Sequence, residues 1–329
     1  MKKLINHPND VVTQMLMGLS KAHPGVVYSG DELEVISRRE KKKGKVGLVS
    51  GGGSGHEPAH AGYVGYGMLD AAVAGNVFAS PSPDRIIRGI KEADSGAGVL
   101  MIIKNYSGDI MNFQMAGEMA GDEGIKVDHI ITRDDVAVED STYTSGRRGI
   151  AGTVLAHKIA GAAAEEGMSL PEVKAAGQKA IDNMRSMGMA MTACTLPGVG
   201  KAGFSLGEDE VEIGMGIHGE PGVNREKMST AKEIARRLLD HILSDMDFSG
   251  SEVAVLVNGL GGTPLMELYI VYNEVEQILR DKGIAIFAPY VGNYMTSLEM
   301  AGCSVTLLKL DDELKRLLKA PADTPAFHA

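Results

Sequence analysis

Eight short runs of β-branched and aliphatic residues recur along the chain, and several of them are apolar at consecutive positions. Such runs are typical of strands that are covered on both faces, as in a sheet between helices. Segments with a helical period separate many of them, and strand–helix alternation predicts an α/β fold. The strand-like runs are 45–50, 97–104, 126–133, 189–196, 211–218, 252–260, 284–291 and 303–310.

The length of 329 residues favours two domains rather than a single core. Two consecutive helical patterns, 152–167 and 169–188, interrupt the alternation and suggest where the division lies. We therefore predict two α/β domains, 1–188 and 189–329. Each is expected to contain a mostly buried mixed or parallel sheet flanked by helices.

Charge and composition exclude several classes of function. The net charge is −10, so no basic nucleic-acid face is expected. The one basic run, 38–45, is interpreted as a solvated turn. The apolar runs are too short to span a bilayer. Cys194 and Cys303 are isolated, without metal-ligand spacing or a disulfide framework, and together with the lack of a leader pattern they predict a cytoplasmic protein.

A glycine-rich stretch, VSGGGSGHEP at 49–58, follows the first strand-like run. Its spacing fits neither a P-loop nor a dinucleotide fingerprint. We predict that the strand ends near Val49, that a loop follows, and that a helix begins at His56 with Pro58 in its first turn. Two interpretations remain open for the loop: a tight turn beside a hydrogen-bonded histidine, or a lip that holds a ligand against His56.

Polar residues also follow the strand-like run that ends at Lys104. Asp109 lies near the start of the next predicted helix, so it is either an N-cap or a carboxylate that takes a proton from a bound hydroxyl. Lys104 is either solvated or a donor to a ligand oxygen.

A second histidine with glycine neighbours lies in GMGIHGEPG, residues 214–222. The small neighbours leave space around the ring of His218. The residue is either a buried, hydrogen-bonded histidine or a neutral imidazole that grips or attacks a ligand.

Taken together, these stretches resemble the dihydroxyacetone-binding K subunits of phosphotransferase-dependent dihydroxyacetone kinases. The resemblance extends over nearly the whole chain and is therefore far more specific than any one glycine loop. The matching stretches are LVSGGGSGHEPAHAGYVG, VLMIIKNYSGD, TRDDVAVED, RRGIAGTVLAHKIAGAAAEEG, EIGMGIHGEPG and YMTSLEMAGCSVTLLKLDDEL.

The resemblance implies that a nitrogen of His218 adds to the ketone carbon of dihydroxyacetone and gives a hemiaminal. It implies that His56 and Asp109 are the acid/base residues for the hydroxyl to be phosphorylated. A ketone suits this capture, whereas glycerol has no carbonyl and would be rejected. The residues that match the substrate pocket are Gly53, Ser54, Gly55, His56, Lys104, Asp109 and His218.

The resemblance also implies partners. The chain contains no P-loop, no kinase-type lysine and catalytic-loop set and no carboxylate cluster clearly spaced for Mg²⁺, so no cofactor or metal is expected on it. The implied kinase needs an L subunit that holds ADP or ATP with Mg²⁺, recharged by a phosphocarrier M subunit, and the chain is expected to form a homodimer. The alternative is a non-catalytic, dihydroxyacetone-binding coactivator, since paralogues of that kind belong to the family.

Overall fold

The computed structural model describes residues 2–29, 34–139, 146–200, 202–220 and 222–329. The described chain forms two six-stranded sheets and one two-stranded ribbon. Two residues of the quoted stretches, Asp140 and Pro221, lie outside the described residues.

The first sheet has the strand order β1-β2-β4-β3-β5-β6. Strand β3 pairs in parallel with β4 and β5, and β5 pairs in parallel with β6. Strands β1 and β2 pair with each other, and β2 with β4, in the antiparallel sense, so the sheet is mixed. Its strands are β1 (Val26–Ser29), β2 (Val35–Arg38), β3 (Gly47–Ser54), β4 (Ala71–Val77), β5 (Val99–Lys104) and β6 (Val127–Thr132).

Strand β3 is the switch point of the first sheet, because the strands that follow it in the chain lie on opposite sides of it. The chain passes from β3 to β4 on one side and then, through helix α2 (Pro83–Ala93), to β5 on the other side. A crevice opens beyond the carboxyl ends of strands at such a point, and ligands bind there in open α/β sheets. The carboxyl ends of β3, β4 and β5 thereby bring residues 54–56, 78–80 and 104–109 together.

The second sheet has the order β11-β10-β12-β7-β8-β9 and is also mixed, because only β10 and β11 pair in parallel. The predicted fold class, two flanked mixed or parallel sheets, is confirmed. The strands of the second sheet are β7 (Met184–Ala190), β8 (Glu210–Ile213), β9 (Asn224–Lys227), β10 (Glu252–Gly259), β11 (Ala285–Gly292) and β12 (Gly302–Leu310). The separate ribbon consists of β13 (Asp323–Thr324) and β14 (Phe327–His328).

Local signals explain where several helices begin. Ser169 and Glu172 form a capping box at the start of α5, which also has a proline in its first turn. Thr230 and Glu233 form a capping box at the start of α6. Besides α2, the helices are α1 (Val11–Ala22), α3 (Ser107–Asp122), α4 (Thr153–Glu165), α5 (Leu170–Asp182), α6 (Ala231–Asp245), α7 (Leu265–Asp281) and α8 (Asp312–Lys319). No helix in the described part of the chain is long and apolar enough to cross a membrane.

One hydrophobic core joins the two sheets. Leu48 and Ile102 of the first sheet belong to the same buried cluster as Leu256 and Leu308 of the second. Every residue of α4 is buried. The sheets are therefore held at a fixed separation by shared apolar packing rather than by a linker.

The predicted boundary at residue 188 falls inside strand β7, all of which belongs to the second sheet. The strand predicted at 189–196 begins earlier, at Met184, and the helix predicted to reach 188 ends at Asp182. Residues 133–183 contribute no strand to either sheet among those described, so the sheets change before Met184.

The glycine stretch is not the predicted loop followed by a helix. Gly51 to Gly53 continue β3, and Gly51 pairs with Val73 of β4. A Cβ atom on Gly51 would lie 2.3 Å from the Val73 carbonyl oxygen, so the strand needs glycine there. After Ser54 the chain forms turns and a short 3₁₀ helix at Ala61–Tyr63 in place of the predicted α-helix.

The basic run 38–45 is not wholly a solvated turn. Arg38 ends β2 and forms ion pairs with Glu165 and Asp70. Lys45 is buried and lies 2.5 Å from an Asp70 oxygen. Both ends of the run are therefore structural, because a buried charge needs an opposite charge beside it.

Candidate functional site

Two histidines from different sheets meet at the crevice. His56 follows β3, and His218 lies in the turns after β8. Their Nε2 atoms are 3.0 Å apart, and the rings stand edge to face with centroids 4.7 Å apart. The predicted association of the two residues in one site is what the geometry shows.

Hydrogen bonding assigns the protons on the two rings. Nδ1 of His56 lies 2.8 Å from the carbonyl oxygen of Thr296, and a carbonyl only accepts, so Nδ1 of His56 carries the hydrogen. In a neutral His56 ring, Nε2 then presents a lone pair to His218. The 3.0 Å contact is a hydrogen bond when Nε2 of His218 donates. His56 is thus placed to receive a proton from His218.

The environment keeps His56 neutral. The residue is fully buried, and burial lowers its pKa well below the ordinary value, with further lowering by the charges of His218 and Lys104. A neutral imidazole with a free Nε2 lone pair acts as a proton acceptor at neutral pH.

Glu220 supports His218 from two residues away. Its Oε1 accepts from Nδ1 of His218 at 2.9 Å, and its Oε2 accepts from the backbone N–H of His218, also at 2.9 Å. A carboxylate on Nδ1 leaves Nε2 as the nitrogen that faces the crevice. Glu220 was not among the residues predicted from the sequence, although a carboxylate two positions after a candidate nucleophile was a usable signal.

Lys104 and Asp109 form a buried pair at the other side of the crevice. Nζ of Lys104 lies 3.4 Å from Oδ2 of Asp109, and Oδ1 of Asp109 accepts from the Ser80 hydroxyl at 2.5 Å. Asp109 is the third residue of α3 rather than its N-cap, and Lys104 is fully buried rather than solvated. Both side chains point inward, as their functional interpretations require.

Aromatic side chains line the space around the histidines. The ring of Phe78 is stacked on that of His56, with the ring centroids 5.1 Å apart. It stands edge to face against the ring of His218, with the centroids 5.3 Å apart. Tyr106 packs edge to face against His218 at 4.7 Å, and Nζ of Lys104 lies 5.8 Å from the Tyr106 ring centroid. Tyr106 and Phe78 link the two halves of the site, and neither was singled out from the sequence.

The other residues predicted to contact the substrate, Gly53, Ser54 and Gly55, contact neighbouring parts of the chain. The Ser54 hydroxyl donates to the Gly75 carbonyl at 2.8 Å, so it is used within the sheet. The N–H of Gly55 donates to the Glu57 carboxylate, 3.1 Å from each oxygen. Gly53 adjoins Phe78, from whose Cα a Cβ on Gly53 would be only 2.8 Å away. Their contact with a substrate stays a prediction.

A second pair of histidines lies beneath this site. Nδ1 of His60 is 3.0 Å from Nε2 of His157, and both residues are buried. Burial, followed by the charge of Lys104, lowers the pKa of each. The pair therefore adds no positive charge to that of Lys104 at neutral pH.

The arrangement joins three chemical capacities within one crevice. His218 offers a nitrogen nucleophile whose orientation Glu220 fixes, His56 offers a neutral acceptor for its proton, and Asp109 offers a carboxylate. An electrophilic carbonyl flanked by hydroxyl groups is the kind of ligand that uses all three.

Comparison with known proteins finds relatives over nearly the whole chain. The Dak1 domain family model matches residues 17–326. The chain is 56% identical, over 99% of its length and 100% of the relative's, to the PTS-dependent dihydroxyacetone kinase 1, dihydroxyacetone-binding subunit DhaK, of Listeria innocua.

Two solved structures share the fold closely. One is the dihydroxyacetone kinase operon co-activator Dha-DhaQ, with a TM-score of 0.90, 38% identity and coverage of 98% of each chain. The other is the dihydroxyacetone kinase from C. freundii in complex with AMP-PNP and Mg²⁺, with a TM-score of 0.91 and 35% identity, covering 99% of this chain and 61% of that one.

Proposed function

The chain belongs to the Dak1 domain family, and from that membership we propose that it is the dihydroxyacetone-binding subunit of a phosphotransferase-dependent dihydroxyacetone kinase. The observation that carries the proposal is the 3.0 Å contact between His56 and His218, with Asp109 and Lys104 completing the same crevice. The full-length similarity to a subunit of that name supports it.

The first step is covalent capture of the ketone. The step begins with a hydrogen on each nitrogen of His218, Nδ1–H on Glu220 and Nε2–H on His56, so that this ring carries the positive charge at the start. Nε2 of His218 passes its proton to Nε2 of His56 and uses the freed lone pair to form a bond to the ketone carbon. The π pair of the carbonyl moves to its oxygen, which takes the proton back from His56 and becomes a hydroxyl. The positive charge stays on the His218 ring, where the Nδ1–H faces the Glu220 carboxylate.

The second step is phosphoryl transfer to a terminal hydroxyl. Asp109, or His56 once it has released its proton, takes the hydroxyl proton as the phosphoryl group arrives. Ser80 fixes one Asp109 oxygen and leaves the other beside Lys104. Lys104 donates to a substrate oxygen and attracts the electron-rich end of the ligand.

The phosphoryl donor is proposed to come with partner subunits. We assign ADP and Mg²⁺ to an L subunit, and the recharging of that nucleotide to an M phosphocarrier subunit. The C. freundii kinase structure, which holds AMP-PNP and Mg²⁺, is longer than the part that this chain matches. The extra length is consistent with a nucleotide site outside the segment that corresponds to this chain.

A homodimer is proposed through the free edge of the second sheet. Strand β11 is the outermost strand, and apolar residues of the neighbouring helix α7 are exposed next to it. An apolar edge strand is a template for pairing with a second chain. The exposed residues of α7 are Leu265, Met266, Tyr269 and Ile270.

A co-activator that senses dihydroxyacetone is the second candidate, because the Dha-DhaQ structure shares the fold over 98% of both chains. Fold similarity does not separate the two functions. Asp109 favours the kinase subunit: its carboxylate lies in the crevice, and a sensor that only captures the ketone has no hydroxyl to deprotonate.

The decisive experiment combines adduct detection with turnover. The chain is mixed with dihydroxyacetone labelled with ¹³C at the carbonyl, and NMR follows conversion of the carbonyl carbon to a tetrahedral one. We expect an adduct in the wild type and in Asp109→Ala, and none in His218→Ala. With L subunit and a phosphoryl donor, only the wild type among these three should form dihydroxyacetone phosphate.

Two outcomes would contradict the proposal. An adduct in His218→Ala would remove the assigned nucleophile. A wild-type adduct without any turnover in the presence of active L subunit would favour the co-activator instead.

A further inference from the structure

Phe78 touches both proposed reacting histidines from the third strand that ends at the crevice. It follows β4, whereas His56 follows β3 and His218 comes from the second sheet. Its ring lies nearly parallel to His56, at 17°, and nearly perpendicular to His218, at 86°. Rotation of either imidazole would therefore meet the Phe78 ring.

The backbone of Phe78 is held in a conformation that residues other than glycine seldom adopt. Its φ angle is +56°, and its N–H donates to the Ser54 carbonyl at 2.9 Å. Such a residue persists when the surrounding structure determines its position, and functional sites are where such residues concentrate. Leu298, from the second sheet's side of the site, also has a positive φ, +52°, and donates to Gly55 at 2.7 Å.

The glycines of the opening motif leave room for this phenylalanine. A Cβ on Gly53 would lie 2.8 Å from the Phe78 Cα, and one on Gly55 would lie 2.7 Å from its Cε1 atom. Both distances are too short for real atoms, so Phe78 sits directly on the strand end that precedes His56. Part of the motif's glycine content therefore serves Phe78 rather than a ligand.

Phe78 also forms the outer wall of the site. It is partly exposed, whereas His56 beneath it is fully buried. Its ring packs against an apolar cluster that includes Met215 and Met300 of the second sheet's side. Removing the ring would open His56 to water on this side.

We propose that Phe78 is a positioning residue for the reaction: its ring fixes the orientation of the His56 and His218 imidazoles and covers them against water. The inference rests on the proposed function for its catalytic consequence, but its structural part, the packing of Phe78 on the two imidazoles, does not, and the test reads it at His56. Groups that face His56 are the His218 ring, the Lys104 ammonium beyond it and the Thr296 carbonyl.

The test is a direct titration of the His56 imidazole by NMR in the wild type and in Phe78→Ala, with His56→Asn to assign the signal. Hydration of His56 in Phe78→Ala should raise its pKa from its lowered value toward the ordinary one. Phe78→Tyr keeps a ring and should titrate like the wild type. Phe248→Leu, which changes an aromatic residue of the separate second core, is the matched control.

The kinetic readout is the ratio of kcat/KM at pH 6 to that at pH 8, measured with L subunit. A histidine with an ordinary pKa near 6.5 is only about one-quarter neutral at pH 6, so this ratio should fall by up to about fourfold in Phe78→Ala. The Tyr and control variants should keep the wild-type ratio. If Phe78→Ala does not fold, Phe78→Leu should show a smaller change in the same direction.

An unchanged His56 titration and an unchanged pH ratio in Phe78→Ala would overturn the inference and leave Phe78 a packing residue only. Failure of the proposed function has a different signature. The wild type itself would then give no ketone adduct, or an adduct without turnover, while the His56 titration, which needs no substrate, would still report on Phe78.

Discussion

Glu220 binds His218 twice, through Oε1 to the ring Nδ1 and through Oε2 to the backbone N–H, each at 2.9 Å. Burial by itself would raise the pKa of this carboxyl, but its hydrogen bonds with His218 and the attraction between the two outweigh burial and lower the pKa to about 2. Glu220 is therefore ionised over the whole neutral and mildly acidic range. It fixes the imidazole relative to the turn that carries it.

Glu220→Gln should weaken capture of the ketone. The amide keeps the size of the side chain but lacks the charge that favours the His218 adduct. Hydrogen bonds to charged groups contribute about 1.5–3 kcal/mol, which corresponds to roughly a 10- to 150-fold weaker adduct. Titration with labelled dihydroxyacetone measures this, with Glu276→Gln on α7 as the control. An adduct as tight as in the wild type would show that Glu220 is not needed.

Gly52→Ala should disable the Lys104–Asp109 pair. Gly52 has φ +153°, and a Cβ there would lie 2.3 Å from Nζ of Lys104 and 3.4 Å from Oδ2 of Asp109. The Lys104 ammonium, which is fully buried, would have to move and so change its pairing with Asp109, and we therefore expect loss of turnover. Gly18→Ala is the control: nothing lies within 4 Å of that added atom, and alanine in a helix should stabilise by about 0.5–1 kcal/mol. Full activity in Gly52→Ala would contradict the assigned role of Lys104.

Ser80→Ala should separate phosphoryl transfer from capture. The Ser80 hydroxyl holds Oδ1 of Asp109 and does not contact His218 in the described hydrogen bonds. Losing this charge-assisted bond should lower kcat by roughly tenfold or more, from the 1.5–3 kcal/mol range of such bonds, with the adduct unaffected. Coupled assays with L subunit and the NMR titration give the two values. Ser244→Ala, on α6, is the control, and an equal loss of both quantities in Ser80→Ala would contradict this division.

His157→Gln should make the free energy of unfolding less sensitive to acid. Burial, then the charge of Lys104, lowers the pKa of His157 to about 3. Below about pH 6.5 the unfolded chain binds a proton at this residue and the folded chain does not, so the free energy of unfolding falls as the pH falls. Between pH 7 and pH 5 the residue accounts for about 2 kcal/mol. Urea unfolding at both pH values should show a wild-type decrease larger than the variant's by this amount; equal decreases would refute the assignment.

Ile270→Glu should weaken the proposed homodimer. A charge on the exposed face of α7, next to Tyr269, would be buried without a partner if a second copy covers this face. Sedimentation analysis should show the wild type as a dimer and the variant shifted to monomer. Met228→Glu, an exposed apolar residue outside α7, should leave the dimer intact. A dimeric Ile270→Glu would place the interface elsewhere.

The sequence predicted those strands that are long and aliphatic. β10 and β12 lie close to the predicted runs because their apolar residues are consecutive. β1 and β2 have strand-forming residues but only four positions each, too few for a pattern, and β4, AAVAGNV, is mostly alanine and glycine. The glycine end of β3 was missed for a related reason. Glycine disfavours strands in general, and only the neighbouring Val73 carbonyl and Phe78 explain it here.

Candidate site residues were found where a motif carried them. His56, Lys104, Asp109 and His218 lie at strand ends or in glycine-flanked turns, and the structure brings their side chains to one crevice. Ser80 and Phe78 act on these residues from another strand end. These contacts arise because β4, β3 and β5 are neighbours in the sheet, and the residue pattern within each strand does not reveal that order.

The shared core has a consequence for how such a protein could arise. His218 follows a strand of the second sheet, whereas His56, Lys104 and Asp109 lie at or after the carboxyl ends of strands of the first. In the proposed reaction, capture of the ketone needs both the His218 nucleophile and the His56 proton acceptor, so neither half of the chain would complete it alone. We therefore expect the two sheets to be inherited as a unit, with recombination between relatives exchanging whole chains and not halves.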